Sequence, residues 1–328
     1  MMKRSIVMKR TISLFLCIIC LLAVCLSATG CSSKTEEYPS KPIELVIPWS
    51  AGGGTDVAGR LYASYLEKEL GTTINVTNVT GGTGSVGTAQ VAAADPDGYT
   101  LLLTTFDFVT ADVQQLAGFT IDDFDAISSF SVQPTVYVVM AENWNTIDDY
   151  IANAKANPGT VTVSHNGEGG VWHQAAALAD AAMGIETTYV PYDGSSEQLA
   201  ALLGGHTDAA CISYNTVADY IKSGEMFCLG AMTDERIAAL PDTPTFKEQG
   251  YDVVYSSFRG IVAPAGLPED VYNKLLTACE AAANDPEWLD AAVKGSIDPW
   301  NINGEDYKAF LNTTKENVTT VLTDLGLI

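Results

Sequence analysis

Residues 43 to 60, IELVIPWSAGGGTDVAGR, dictate a strand that turns directly into a helix. The apolar run 43–47 reads as a strand, Pro48-Trp49 ends it, and glycines 52 to 54 lead into Asp56 and an amphipathic stretch. Without a Cβ, that glycine backbone approaches a ligand closely. The first turn of the following helix offers unpaired N–H groups and the positive end of its dipole, a seat for carboxylate or phosphate. The same residues also serve a tight turn that binds nothing.

Short apolar strands alternate with helical stretches throughout, the pattern of an open α/β sheet. Strands are predicted over 43–47, 74–79, 100–104, 135–140, 161–164, 186–190, 209–212, 228–232 and 260–263. Helices are predicted over 56–70, 85–94, 146–157, 171–183, 195–204, 214–223, 268–283, 286–294 and 304–325. Near 132–142 and 252–262 the chain passes through extended segments flanked by turn residues. Read as paired crossings, these divide the protein into one lobe of 39–141 plus 257–328 and another of 142–256.

The N-terminus reads as an export signal: Lys3, Arg4, Lys9 and Arg10, an apolar run from Ile12 to Ala28, then Ala28-Thr29-Gly30-Cys31. This resembles a bacterial lipobox, so 1–30 is expected to be removed and Cys31 to carry lipid, with 31–38 as a polar tether. A retained transmembrane anchor is the competing reading. Cys17, Cys20 and Cys25 fall in the signal, which leaves Cys211, Cys228 and Cys279. Buried free thiols are expected, with a Cys211–Cys228 bridge the alternative. Acidic residues outnumber basic ones 40 to 17, and loss of the four signal cations sharpens the imbalance. Such a surface argues against nucleic acid and anionic lipid headgroups as partners.

Further motifs follow in order: Tyr38-Pro39-Ser40-Lys41-Pro42, Asp95-Pro96-Asp97-Gly98-Tyr99, Asn157-Pro158-Gly159, Val190-Pro191-Tyr192, Leu202-Leu203-Gly204-Gly205, Leu240-Pro241-Asp242-Thr243-Pro244-Thr245 and Ala263-Pro264-Ala265-Gly266. Together with Pro48-x-x-x-Gly52-Gly53-Gly54-Thr55-Asp56 they resemble the Bug family, the solute-binding proteins of tripartite tricarboxylate transporters. The resemblance runs from about residue 38 to the C-terminus. It implies a two-lobed type 2 periplasmic-binding-protein fold with the ligand between lobes. It also implies a small organic acid as cargo, and delivery to the large and small permease subunits of the membrane transporter. A lipid-anchored monomer on the outer face of the cytoplasmic membrane is the corresponding expectation.

The first loop, Pro48, Trp49, Ser50, Gly53, Gly54, Thr55 and Asp56, is expected to hold one carboxylate, with Thr104 and Thr105 at a neighbouring strand end. A second strand-to-helix loop, Asn166, Gly167, Glu168, Gly170, Val171 and His173, is expected to hold the other end of the ligand from the opposite lobe. Family members typically carry a hydroxyl residue where Gly170 stands, and Glu168 adds a negative charge. Tyr192, Tyr214, Asn215 and Phe258 occupy comparable positions and complete the expected site. Glu168, Asp193 and Asp56 near the mouth favour a ligand with fewer charges or an amino group. Asp193 or Ser195 serves equally as a helix cap. No arginine clamp is evident among Arg60, Arg236 and Arg259 of the mature chain.

Gly82-Thr83-Gly84-Ser85-Val86-Gly87 fits G-x-G-x-x-G, with Asp107 about 20 residues onward as in a dinucleotide site. In an exported protein a glycine turn supporting the cleft rim is the better reading. His165, His173 and His206 form no metal pattern, and no nucleophile elbow appears. Neither cofactor, metal nor catalytic residues are expected. The rival functions are a ligand-sensing module for a signalling partner and an exported enzyme on the same fold.

Overall fold

Ile43–Ile47 forms β1, buried except at half-exposed Glu44, and the glycine loop delivers the chain into helix α1 (Gly54–Leu70). A computed structural model describes residues 37–324 and 326–328; the export signal, Cys31 and the tether to residue 36 lie outside them. Two units divide the chain, Met1–Tyr38 and Pro39–Ile328, and the architecture that follows is that of the second.

After α1 come β2 (Ile74–Asn78), α2 (Ser85–Ala92), β3 (Thr100–Thr105), α3 (Phe106–Val113) and β4 (Phe124–Met140). The middle of the chain supplies α4 (Ile147–Ala156), β5 (Thr162–His165), α5 (Val171–Met183), β6 (Thr188–Pro191), α6 (Ser195–Leu203), β7 (Ala209–Ser213), α7 (Tyr214–Ser223) and β8 (Met226–Ala231). The last segments are β9 (Ser256–Pro264), α8 (Glu269–Ala283), α9 (Pro286–Lys294), β10 (Asp298–Pro299) and α10 (Gly304–Asp324).

The sheet runs β2-β1-β3-β9-β4-β7-β5-β6, with β8 and β10 also on β4. β2, β1 and β3 are parallel, as are β7, β5 and β6, each set built by crossover helices. The 17-residue β4 joins the two sets. Its first part, to Pro134, pairs antiparallel with β9, and its last part, from Thr135, pairs with β7 and β8. The exchange of partners falls at Pro134, which has no N–H to donate to a ladder. The sequence pattern found only the second half of β4. The first half, FDAISSFSVQ, carries serines at 128, 129 and 131 that interrupt the apolar run. All three are buried and face bonding partners: Ser129 Oγ accepts from Ile302 N–H at 2.9 Å, and Ser131 Oγ accepts from Arg259.

Helix α3 was also missing from the sequence reading. FDFVTADV has no polar face, because every residue from Phe106 to Asp112 is buried, so no 3.6-residue alternation is visible. The three described cysteines are free and buried. A Cys211–Cys228 bridge is ruled out by topology, since β7 and β8 both pair with β4.

The β3–β9–β4 contact is close enough to demand glycine at 260. A Cβ there would overlap the Tyr307 hydroxyl and come within 2.8 Å of the Ser128 carbonyl oxygen. Gly260→Ala is expected to cost about 1–3 kcal/mol, read as a lower midpoint in thermal or urea unfolding; an unchanged midpoint would refute this packing.

Candidate functional site

Two helices begin at one cavity. α1 enters it through Trp49, Ser50, Gly53, Gly54 and Thr55, and α6 through Gly194 and Ser195; Thr105, Asp107, Gln133, Asn166, Trp172 and Ser257 complete the lining. Counted out to its open mouth the space is ≈ 330 Å³, but only ≈ 20 Å³ is free to the centre of a water-sized sphere, room for about one water, so a larger ligand requires the walls to part. The two helix ends nearly touch: a Cβ on Gly53 would lie 3.8 Å from Ser196 N. Across the rim, Ser50 Oγ donates to Glu197 Oε2 at 2.9 Å and lies 3.0 Å from Ser196 Oγ. Both caps are glycines in extended conformation, Gly53 and Gly194, without a side chain to occupy the helix end. Among the described residues no side chain accepts from the N–H groups of Gly54 or Thr55, nor from those of Ser195 or Ser196. Gly54, Thr55 and Ser195 line the cavity, so their free N–H groups and the helix dipoles give it capacity for an anion.

The beginning of α5 is different, because the protein fills it with its own groups. Asp107, from the first turn of α3, accepts through Oδ1 from Val171 N–H at 2.7 Å and Asn166 Nδ2 at 3.0 Å. Asn166 Oδ1 accepts from Trp172 N–H at 3.0 Å, and Gly169 N–H donates to His173 Nδ1 at 2.9 Å. Asp107 is 3% exposed, and burial pushes its carboxyl up to about 7 despite those donors. The second loop, expected to supply N–H groups to a ligand, is thus capped from inside. Asp107 escaped the sequence reading except as part of a rejected dinucleotide motif, because α3 itself was not legible.

Of the residues expected in the site, Trp49, Ser50, Gly53, Gly54, Thr55, Thr105 and Asn166 meet at the cavity. The others lie beside or beneath it. Asp56 braces the first loop: it accepts from Gly52 N–H at 2.9 Å, Asn78 Nδ2 at 2.9 Å and Arg60 Nε at 2.9 Å. Burial alone would raise its carboxyl; Arg60, Gly52 and Asn78 outweigh that and hold it below the usual range. Pro48 packs under Gly84 and Gly87, so the 82–87 turn supports the rim. Thr104 bonds Tyr307 Oη at 2.7 Å, and Phe258 sits in an aromatic cluster with Phe310 and Tyr307. Tyr214 is buried in the core beside β7. Gly167, Gly170 and Val171 shape the α5 turn, with Gly167 against Thr83 and Gly170 against Asn166. Tyr192 is half-buried off the cavity, while Glu168 and Asp193 are exposed. The carboxylate that lines the cavity is therefore Asp107, with Glu197 bonded to Ser50 at the rim, whereas Glu168 and Asp193 are exposed and Asp56 braces the loop.

Behind the wall stands a cation the sequence reading discounted. Arg259 is fully buried, with Nη1 3.2 Å from Ser131 Oγ and Nη2 3.4 Å from Asn215 Oδ1. Asn215 in turn donates to the Gly54 carbonyl at 3.2 Å, which ties the cation to the first turn of α1. Burial pushes the guanidinium down to about 9, opposed by Asp298.

His165 and His173 stack at 4.4 Å. Burial first, then the neighbouring His173, lower His165 to about 4, against the opposing Gly167 carbonyl. A histidine depressed on folding binds fewer protons than in the unfolded chain, so its contribution to stability falls as pH drops from about 6.5 towards 4. Relative to His165→Phe, the wild type should lose about 1–3 kcal/mol over that interval; parallel urea titrations at pH 7 and 4.5 would contradict this if the difference stayed constant.

The sequence profile described as the tripartite tricarboxylate transporter family receptor matches residues 58–327. A UPF0065 protein encoded in the gbd 5' region of Cupriavidus necator is 30% identical over 307 residues, covering 93% of this chain and 94% of that one. The periplasmic binding protein BugD superposes with a TM-score of 0.83 at 27% identity, covering 88% of this chain and 99% of that one. An R. palustris protein solved with adipate shares the fold, with a TM-score of 0.84 at 23% identity over 88% of this chain and 98% of that one. With these matches spanning nearly the whole described unit, the chain belongs to the tripartite tricarboxylate transporter receptor family, whose members are extracytoplasmic solute-binding proteins.

Proposed function

We propose that this receptor captures one small organic acid in the cavity between α1 and α6 and delivers it to the membrane permease subunits of a tripartite transporter. The observation that carries this reading is the convergence of two glycine-capped helix ends, both without a side-chain acceptor, on one small cavity. A carboxylate there would receive N–H donors from Gly54, Thr55 and Ser195 under two favourable dipoles. Arg259 behind Asn215 offsets part of the negative field of the chain. The adipate-bound neighbour supports an acid as cargo.

The cavity joins the two parallel strand sets, so ligand exchange requires them to part. Residues 39–141 plus 257–328 act as one lobe and 142–256 as the other, bending where the partners of β4 change at Pro134 and where β9 begins at Ser256. The rim bonds from Ser50 to Ser196 and Glu197 are then made on closing and broken on opening. The receptor is held at the outer face of the cytoplasmic membrane through Cys31, and it acts by binding, without turnover.

Calorimetry on protein unfolded and refolded to remove carried ligand tests the reading. A mono- or dicarboxylate should bind one to one and be recovered unchanged. Ser195→Asp places a carboxylate in the first turn of α6, where it suits the helix but repels an anionic ligand. It should leave the unfolding midpoint within a few degrees and weaken acid binding by about 10- to 100-fold. Full affinity in this variant would exclude α6 from the site.

A further inference from the structure

The lining of the cavity is chemically divided, and that division bears on which acid is held. One group of lining residues carries the donors of the α1 and α6 turns, with Thr55 and Ser195. A second group is joined by hydrogen bonds, Trp49 to Thr105, Thr105 to Asp107 and Asn166 to Asp107, and Trp172 lines the same cavity; Trp49 and Trp172 are 7% and 4% exposed. Asp107 Oδ1 is committed to Val171 N–H and Asn166. Its Oδ2 has a 3.5 Å contact from Thr105 Oγ1, and the backbone N–H of Asp107 also bonds the carboxylate; no short side-chain bond reaches Oδ2, and a carboxylate oxygen accepts two good bonds. Trp49 Nε1 donates to Thr105 Oγ1 at 3.2 Å, which fixes the indole beside that underused oxygen. A buried carboxylate in a cavity that two indoles also line is an environment for a cationic head. It is hostile to a second anion, because two carboxylates in a nearly dry site repel strongly.

We propose that Asp107 sets the ligand class: the cleft takes a small zwitterion, its carboxylate on the α1 and α6 turns and its ammonium group against Asp107, Trp49 and Trp172, in preference to the diacid of equal length. The assignment rests on the reading of this cavity as the ligand site. The α5 helix end, which would otherwise receive a second carboxylate, is closed by Asp107 itself. No charged side chain contributes to the raised carboxyl of Asp107; Tyr255, pushed up first by burial and then by Asp107, is its titratable neighbour. An incoming ammonium group supplies the missing countercharge and favours the ionised carboxylate.

The test uses ligand-stripped receptor and matched probes in which one carboxylate of a diacid becomes an amine: glycine against malonate, 3-aminopropanoate against succinate, 4-aminobutanoate against glutarate. Calorimetry should show the amino member of at least one pair binding at least tenfold more tightly than its diacid. Asp107→Asn keeps an oxygen to accept from Val171 N–H, so a purely structural role would leave that ratio unchanged. The proposal expects the ratio to fall by tenfold or more. At pH 7, titration in two buffers of different ionisation enthalpy should show proton release on binding the amino member; proton uptake would overturn the contact. Because the wild-type ratio is decisive alone, a variant that fails to fold does not spare the proposal. A diacid that binds one to one and more tightly than its amino partner removes the zwitterion assignment and leaves the receptor reading intact. Binding by neither member of any pair overturns both.

Discussion

A helix that starts at the end of a strand carries N–H groups that no residue of its own can satisfy, and the rest of this protein is organised around how they are answered. α5 is answered from within, by Asp107 and Asn166. α1 and α6 begin at glycine caps and keep their donors facing a cavity. The contrast between a sealed helix end and two unsealed ones converts a repeated fold element into a site with a direction.

The sealing group arrives from afar in sequence. Asp107 belongs to α3, which follows β3 on one side of β4, and α5 follows β5 on the other. The bond between them, like that of Ser50 to Glu197, links the two parallel strand sets and makes the cavity small. Both links are few and polar, and so strong only while water is excluded. That property suits the joint between lobes that the proposed function requires.

Charge is handled locally against an acidic whole. The chain has 40 acidic and 17 basic residues, and Arg60 and Arg259 stand close to the first turn of α1. Arg60 neutralises Asp56 and stiffens the loop. Arg259 is buried behind Asn215 and acts through proximity, without direct contact with the cavity. Neither lines the cavity as a clamp, so the proposed site relies on backbone donors held in place by packing.

Local sequence pattern was sufficient for β1, the glycine loop, α1 and most other strand–helix units, because each depends on residues adjacent in the chain. It also identified seven cavity residues, five of them in the glycine loop. It missed α3, whose burial on all sides erases the amphipathic stripe, and the first half of β4, whose buried serines look like a loop. It could not separate the sealed end of α5 from the unsealed end of α6, since both read as glycine turns before a helix. That distinction depends on which distant side chain reaches each turn. Gly194, Ser195, Gln133, Trp172 and Ser257 line the cavity only because β4 exchanges partners at Pro134 and brings the strand sets together. Sequence determined the supply of anion-binding turns; tertiary contact decided which remained available, because a helix end is a site only when nothing in the folded chain has already filled it.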